Sequence, residues 1–344
     1  MNVKQRLISF DLLKLFAIYL VLWGHCIQYL SDDESFDNQI FISIYSFHMP
    51  LFMVISGFFA RKSLMNKNFR EIMKNKCMEL IVPCISVGVL LFLLNPIKNV
   101  LLNNLPVIDF FELFDEVIIK DLWFLKSLFC CYLLAITAYI NKRHLYLKLS
   151  CTILISFFLN FYMLKRVYLF FILGILLNHK FEDFKKHAKV ICTCSLILFI
   201  LLLTGYDKNI YLTDIGDVKD ALMGGNINEF FITISQYIYN ILTSLLGCTT
   251  FISLFYLGNN KFSHSILRHL SKFGQFTLGI YIMQYIILER NLPLFIKFEH
   301  INALTFNYLI VPFLSVILLA ICYFLTRLVG QNKTAAFLLL GKHS

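Results

Sequence analysis

Two histidines and a lysine interrupt stretches of the sequence that are otherwise almost entirely apolar. Lys14 and His25 lie in the first apolar stretch, and His48 lies in the second, two residues before Pro50. Ionisable groups inside membrane-spanning helices are costly to bury and usually have a function. Imidazole titrates near neutral pH, which suits it to general base catalysis. His25 and His48 are therefore candidates for catalytic residues, and packing between helices is the structural alternative for each.

The spacing in the first stretch places its ionisable residues on one helix face. Lys14 and His25 are eleven residues apart, close to three helical turns, so they project the same way about 16 Å apart along the axis. Asp11 lies three residues before Lys14 and can pair with it. The structural alternative is an Asp11–Lys14 pair at the membrane interface, with Lys14 snorkelling and His25 packed in the core. For this helix alone both interpretations remain open.

Other polar and aromatic residues in the apolar stretches have simpler structural explanations. Trp123 opens the fourth stretch near an interface, where aromatic residues form a belt. Gln284 in the ninth stretch can join helices through its amide. The cationic pair Lys165–Arg166 either contacts an anionic substrate or ends a helical hairpin. We favour the structural interpretation when each is considered alone.

Composition indicates the class of protein in which these residues lie. The chain has 344 residues, of which 58% are apolar and only 15% are charged, and its mean hydropathy is +0.72. A soluble fold of this length would need a larger polar surface. We predict an all-α, polytopic integral membrane protein with one domain over residues 1–344.

Ten apolar segments are candidates for helices that cross a lipid bilayer. Val167–Leu177 and Phe276–Leu288 are short enough to be re-entrant or interfacial instead. The ten predicted spans are Leu12–Leu30, Ile40–Phe59, Leu80–Leu102, Leu122–Ile140, Leu149–Leu164, Val167–Leu177, Val190–Tyr206, Phe230–Leu257, Phe276–Leu288 and Phe306–Leu328.

The positive charges follow this topology. With the N-terminus inside, 21 of the 31 Lys and Arg fall on the inner side and 8 on the outer side. Cytoplasmic segments carry such an excess of Lys and Arg, so both termini are predicted to be cytoplasmic. The net charge of +10 is thus explained by the membrane rather than by nucleic acid.

Short motifs follow one another from residue 9 to about residue 330. They are Ser9–Lys14 with Gly24–His25, His48–Phe52 with Ser56–Phe58, Leu80–Pro83, Leu122–Leu125 with Leu128–Phe129, Phe170–Gly174 and Leu278–Tyr281. In type and order these motifs resemble those of the acyltransferase 3 family, whose opening motif is an Arg, ten residues and a His.

The resemblance implies about ten helices in a bacterial cytoplasmic membrane. It also implies transfer of an acyl group, usually acetyl, from cytoplasmic acyl-CoA to a hydroxyl of a carbohydrate or glycolipid. The family's catalytic His corresponds to His25 and its Arg to Lys14. Three residues depart from the pattern: Lys14 loses the planar guanidinium, Glu79 stands where Arg is common, and Gln284 stands where many members have His.

The mechanism expected from the resemblance uses acetyl-CoA as cosubstrate and no metal. Asp11, Lys14, Arg61, Lys74 and Lys76 are assigned to the donor. Trp123, Tyr281 and Gln284 are assigned to the acceptor. His25 is either the general base or a nucleophile that briefly carries the acyl group, and His48 orients His25 or the thioester.

Two other classes of protein compete with this interpretation. A transporter or flippase for a glycolipid or small metabolite also has buried His and kinked helices. A structural or regulatory subunit would leave two buried His unexplained. Binding of acyl-CoA separates the enzyme from both.

Overall fold

The computed structural model describes residues 7–31, 35–101, 121–140, 143–159, 163–258, 264–298 and 301–341, and these are mainly helical. Within these ranges the only extended pairing is a bridge between Ser31 and Phe298. The helices are α1 Ile8–Leu30, α2 Gln39–Tyr45, α3 His48–Asn66, α4 Phe69–Lys76, α5 Val82–Leu101, α6 Trp123–Tyr139, α7 Leu145–Phe158, α8 Leu164–His179, α9 Phe181–Leu203, α10 Lys208–Leu212, α11 Ile215–Met223, α12 Ile227–Gly258, α13 His264–Phe273, α14 Thr277–Gln284, α15 Ala303–Thr305, α16 Val311–Val329 and α17 Lys333–Leu340.

Six helical stretches in the described residues are long and apolar enough to cross a membrane. They are Ile8–Leu30, Gln39–Asn66, Phe69–Leu94, Phe181–Leu203, Ile227–Gly258 and Ala303–Val329. Each overlaps a predicted span, although Phe69–Leu94 and Phe181–Leu203 begin about ten residues earlier than predicted, so the all-helical, multi-pass class is confirmed. The other four predicted spans correspond to the shorter helices α6, α7, α8 and α14. The number ten and the cytoplasmic termini stay predictions, and Leu102 at the end of the third predicted span lies outside the described residues.

The second predicted span is two helices that meet at Ser46 and Phe47. Pro50 falls in the first turn of α3, where its missing N–H removes no intrahelical bond. Carbonyl groups at the junction contact α12: the Ser244 hydroxyl donates to the carbonyl of Ser46, and the Cys248 thiol lies 3.8 Å from that of Phe47. Because these groups are satisfied within the protein, the break is compatible with membrane depth.

Helices α3 and α8 pack against each other through two glycines. A Cβ at Gly57 would overlap the carbonyl oxygen of Phe171, and one at Gly174 would overlap that of Val54. Small residues let helix backbones approach closely in a membrane. This contact fixes the orientation of α3, which carries His48.

We expect Gly57→Ala to destabilise the protein, because the added methyl group forces the backbones of α3 and α8 apart. Such overpacking costs about 1–3 kcal/mol. Thermal unfolding of the detergent-solubilised protein measures the effect. The control is Gly224→Ala, whose Cβ would meet the Asp220 carbonyl at an ordinary 3.4 Å. Equal unfolding temperatures for the two variants would contradict the close-packing argument.

Helix α1 is largely buried and contacts many other helices of the bundle. It packs against α3, α12, α13, α14 and α16. Its carbonyl at Asp11 approaches Gly274 so closely that a side chain there would overlap it. Residues along α1 therefore face several helices at once, and any site built on α1 draws its other members from them.

Candidate active site

The imidazole of His25 is held by a carboxylate and an amide. Its Nδ1 lies 3.0 Å from Oε1 of Glu289 and 3.0 Å from Oε1 of Gln284. The Nε2 amide of Gln284 donates to Glu289 at 2.9 Å, and the Tyr29 hydroxyl donates to the other carboxylate oxygen at 3.1 Å. A neutral imidazole facing these acceptors carries its proton on Nδ1, so Nε2 is left to accept one. A histidine oriented this way by a carboxylate is the arrangement used for base catalysis.

A π-helical turn, Tyr285–Glu289, brings the carboxylate to the imidazole. Its backbone hydrogen bonds join residues five apart, as from Arg290 N–H to the Tyr285 carbonyl at 3.2 Å. The side-chain pair Gln284 and Glu289 has the same separation of five. Single π turns occur frequently at functional sites, and this one aligns the two groups that contact His25.

An ion pair joins this turn to the start of α6. The Arg290 guanidinium donates through Nη2 to Asp121 and through Nε to the Tyr285 hydroxyl at 2.6 Å. The Asp121 side chain is only 7% exposed, and breaking a buried pair by removing one partner is strongly destabilising. The pair thereby fixes Glu289 relative to Trp123, two residues after Asp121.

His25 opens onto a cavity of about 510 Å³. Its wall combines aromatic rings with hydrogen-bonding groups, including His48, Trp123, Tyr211, Tyr237 and Asn240. The Nδ1 of His48 lies 2.9 Å from the Ile44 carbonyl and donates to it, so the Nε2 of His48 is its acceptor nitrogen. Flat aromatic faces and hydrogen-bonding groups at known positions suit a ligand with both apolar faces and hydroxyls.

The rim of this cavity carries cations that have partners in the protein. Lys165 pairs with Asp214 at 2.8 Å, and Arg166 donates through Nη2 to the carbonyls of Tyr211 and Leu212 at 2.7 Å. Partial burial favours a raised pKa for Asp214, but hydrogen bonds from Lys165 and the Gly216 N–H outweigh it and lower that pKa. Both cations thus hold the segment 211–214 against the start of α8.

A second cavity, of about 220 Å³, is lined by α1, α3, α6 and α14, which also line the larger cavity. It is lined by Lys14, Lys76, Glu79 and Tyr132. Lys14 lies 3.8 Å from Asp11 and 4.5 Å over the ring of Phe59. Lys76 lies 2.5 Å from Glu79 and 4.6 Å over the ring of Tyr132. Val21, Met49 and Tyr281 line both cavities, so the two adjoin.

Comparison with known sequences assigns this architecture to a family. The sequence profile of the acyltransferase 3 family, described as an acyltransferase domain, matches residues 7–327. The chain belongs to this family. Its similarity to individual proteins is more limited. It is 28% identical over 160 residues to the nodulation protein NolL of Mesorhizobium japonicum, which covers 45% of this chain and 42% of the relative.

A second relative shares a shorter stretch with this acyltransferase family member. The NolL protein of Sinorhizobium fredii is 35% identical over 85 residues, which is 24% of this chain and 23% of the relative. The matched parts therefore span less than half of either relative. No solved structure matches the chain.

Most of the residues predicted for this acyltransferase site lie along the two cavities. His25, His48 and Trp123 line the larger cavity, Lys14 and Lys76 line the smaller one, and Tyr281 lines both. The other four predicted residues line neither cavity. Asp11 pairs with Lys14, Gln284 contacts His25, Arg61 donates to Asn178 and contacts His179, and Lys74 is exposed outside both cavities.

Sequence reasoning missed the groups that support His25. Arg290 entered only the count of outer positive charges, and Glu289, Tyr29 and Asp121 were assigned no role. The sequence does contain a signal, because an amide, Gln284, is followed by an acid and a base, Glu289 and Arg290, at the end of an apolar segment. Such polar groups are unusual in membrane-spanning segments. Within the described residues, no group of three or more His, Cys, Asp or Glu has the proximity that holding a metal requires.

Proposed function

We propose that the protein is a membrane-embedded O-acyltransferase that moves an acyl group, in the first instance acetyl, from cytoplasmic acyl-CoA to a hydroxyl of a carbohydrate or glycolipid. The observation that carries the proposal is the His25–Glu289 pair in the larger cavity, one turn of α1 beyond Val21, which also lines the smaller cavity. Donor and acceptor then occupy different cavities and react at one imidazole. The protein works in the cytoplasmic membrane with both termini inside.

In the chemical step His25 acts as a general base within a complex of both substrates. Nε2 of His25 removes the proton of the acceptor hydroxyl as its oxygen attacks the thioester carbonyl carbon. The C–O bond forms, the C–S bond breaks, and the imidazolium returns the proton to the departing thiolate, which leaves as CoA. Glu289 stabilises the transient imidazolium through Nδ1–H. Two adjoining cavities favour this direct transfer over an acyl-histidine, because neither substrate has to leave before the other binds.

We assign the acyl-CoA donor to the smaller cavity. It is lined by two lysines, Lys14 and Lys76, whereas the larger cavity is lined by one, Lys165. The aromatic rings of Phe59 and Tyr132 flank the two lysines of the smaller cavity. Ammonium groups are effective partners for phosphate. Arg61 and Lys74 lie outside this cavity, and their predicted donor role requires the nucleotide to extend across the surface between α3 and α4.

The larger cavity suits the acceptor. Trp123 and Tyr211 offer flat faces on which a sugar ring stacks, and Asn240 and His48 offer hydrogen bonds. The paired rim residues Lys165 and Arg166 keep the segment around Tyr211 in place. A sugar hydroxyl in the larger cavity reaches Nε2 of His25, and the thioester reaches the same atom from the smaller cavity.

The direct test is transfer of radiolabelled acetyl from acetyl-CoA to endogenous glycans. Membranes expressing the wild type are compared with membranes expressing His25→Ala at equal protein level. Label that enters the glycan fraction and depends on His25 supports the proposal. Intact protein that binds no acyl-CoA and transfers no label from any thioester would overturn it and favour the transporter alternative.

We expect Lys14→Ala to raise the KM for the acyl-CoA donor by about ten-fold with little change in kcat. A hydrogen bond to a charged group contributes about 1.5–3 kcal/mol, and Lys14 lies too far along α1 to touch the reacting atoms. The matched control is Lys62→Ala, an exposed lysine on the same helix as Arg61. A donor KM that matches the control would remove Lys14 from the donor site.

A further inference from the structure

Three side chains from three helices lie where the two cavities adjoin. Val21 of α1, Met49 of α3 and Tyr281 of α14 are the residues that line both cavities. None is charged, and Val21 and Tyr281 are 2% and 8% exposed. These three residues, called the ring below, separate the part of the protein that contains Lys14 from the part that contains His25.

The face of α1 places Val21 between the two cavities. Lys14, Ile18 and Val21 line the smaller cavity, and Val21, His25 and Gln28 line the larger one. These residues recur every three or four positions and so form one stripe along the helix. Val21 lies one turn before His25 on this stripe.

A thioester that enters from the Lys14 side passes the ring with its acyl end leading. The charged phosphates of CoA cannot enter an apolar constriction without a large desolvation cost, so they stay outside it. The thioester carbonyl reaches His25 only after the acyl group has passed between Val21, Met49 and Tyr281. The width of the acyl group is therefore limited by the ring and not by the volume of the larger cavity.

We propose that Val21, Met49 and Tyr281 form a constriction that selects the donor by the width of its acyl group. This inference rests on the proposed acyl transfer. Val21 is β-branched and has one strongly preferred rotamer in a helix, so it forms a rigid side of the opening. Met49 is unbranched and adaptable. Narrow acyl groups such as acetyl pass, and groups branched next to the carbonyl do not.

The test compares kcat/KM for acetyl-CoA and isobutyryl-CoA in the wild type, Val21→Ala and Met49→Ala. One methyl or methylene group in an apolar pocket changes discrimination by about 10–200-fold. We expect the isobutyryl-to-acetyl ratio to rise at least ten-fold in both variants. Val21→Ile narrows the ring and should shift the propionyl-to-acetyl ratio the opposite way.

Matched controls separate selection from loosened packing. Val87→Ala and Met53→Ala make the same changes at residues 1% and 0% exposed that line neither cavity, so they should leave both ratios unchanged. Unchanged ratios in all three ring variants, with acetyl transfer retained, would overturn the constriction and leave the proposed function intact. Equal changes in ring and control variants would also overturn it. A wild type that transfers acyl from no thioester would instead overturn the proposed function and the constriction with it.

Discussion

His25→Ala is expected to lower the rate of acyl transfer by about 10²–10⁴-fold, the usual contribution of a positioned general base. The alanine leaves the acceptor hydroxyl without a group to take its proton. It also leaves Glu289 facing Gln284 and Tyr29, which already donate to it, so the carboxylate keeps partners and the fold is retained. Initial rates with labelled acetyl-CoA, together with thermal unfolding of the purified variant, measure both effects.

Two further measurements make the His25 prediction specific. His187→Ala removes an exposed imidazole on α9 and should transfer acetyl at the wild-type rate. The affinity of His25→Ala for acetyl-CoA should remain close to that of the wild type, because His25 lines only the cavity on the acceptor side. Transfer by His25→Ala within a few-fold of the wild type would eliminate His25 as the base.

The arrangement of α1 could be predicted from the sequence because the helix is uninterrupted. From Ile8 to Leu30 the chain follows one helical period, so the eleven-residue spacing from Lys14 to His25 gives a common face. The structure places both side chains on the stripe that lines the two cavities. The all-helical class followed in the same way from the length of the apolar stretches.

The partner of His25 could not be predicted, because the local period changes where it lies. In an α-helix, residues five apart point about 140° away from each other. Gln284 and Glu289 would then face different neighbours, and Glu289 would stand outside the site. The π turn Tyr285–Glu289 reduces that offset. Apolar residues such as Ile286 and Leu288 give no sign of which period the backbone adopts.

The cations predicted to bind the donor show a second limit of what the sequence reveals. The positive charges of residues 60–79 indicate which side of the membrane the segment occupies, but not which of them enter a cavity. Lys76 lines the smaller cavity, whereas the Arg61 guanidinium donates to Asn178 and contacts His179, both of α8. Those contacts depend on how α3 packs on α8, which only the tertiary structure supplies.

Contacts between residues distant in sequence also explain why the site is held rigidly. Asp121 and Arg290 join the start of α6 to the end of the π turn, and this ion pair holds Trp123 and Glu289 in one relative position. The Tyr29 hydroxyl of α1 donates to the Glu289 carboxylate. Three segments that meet only in the folded protein therefore fix the position of one functional group, as a preorganised site requires.

Glu289→Gln is expected to lower kcat by about 10²–10⁴-fold with little change in donor KM, because it inverts the hydrogen bonding at Nδ1 of His25. The glutamine can turn its amide N–H toward Nδ1, which places the imidazole proton on Nε2 and blocks its role as acceptor. A comparable change in a catalytic triad costs about 10⁴-fold through the wrong tautomer. Lost charge also leaves the imidazolium formed during transfer unstabilised.

Steady-state kinetics with acetyl-CoA and an isolated acceptor measure the effect of Glu289→Gln, and two variants interpret it. Glu71→Gln makes the same change at an exposed residue paired with Lys67 and should have wild-type kinetics. Glu289→Asp keeps the charge on a shorter side chain, so it should recover part of the lost rate, since an acceptor for Nδ1–H remains. A rate in Glu289→Gln equal to that of Glu71→Gln would show that His25 needs no carboxylate. Equal losses in Glu289→Asp and Glu289→Gln would mean that the shape of the side chain, and not its charge, is what the site requires.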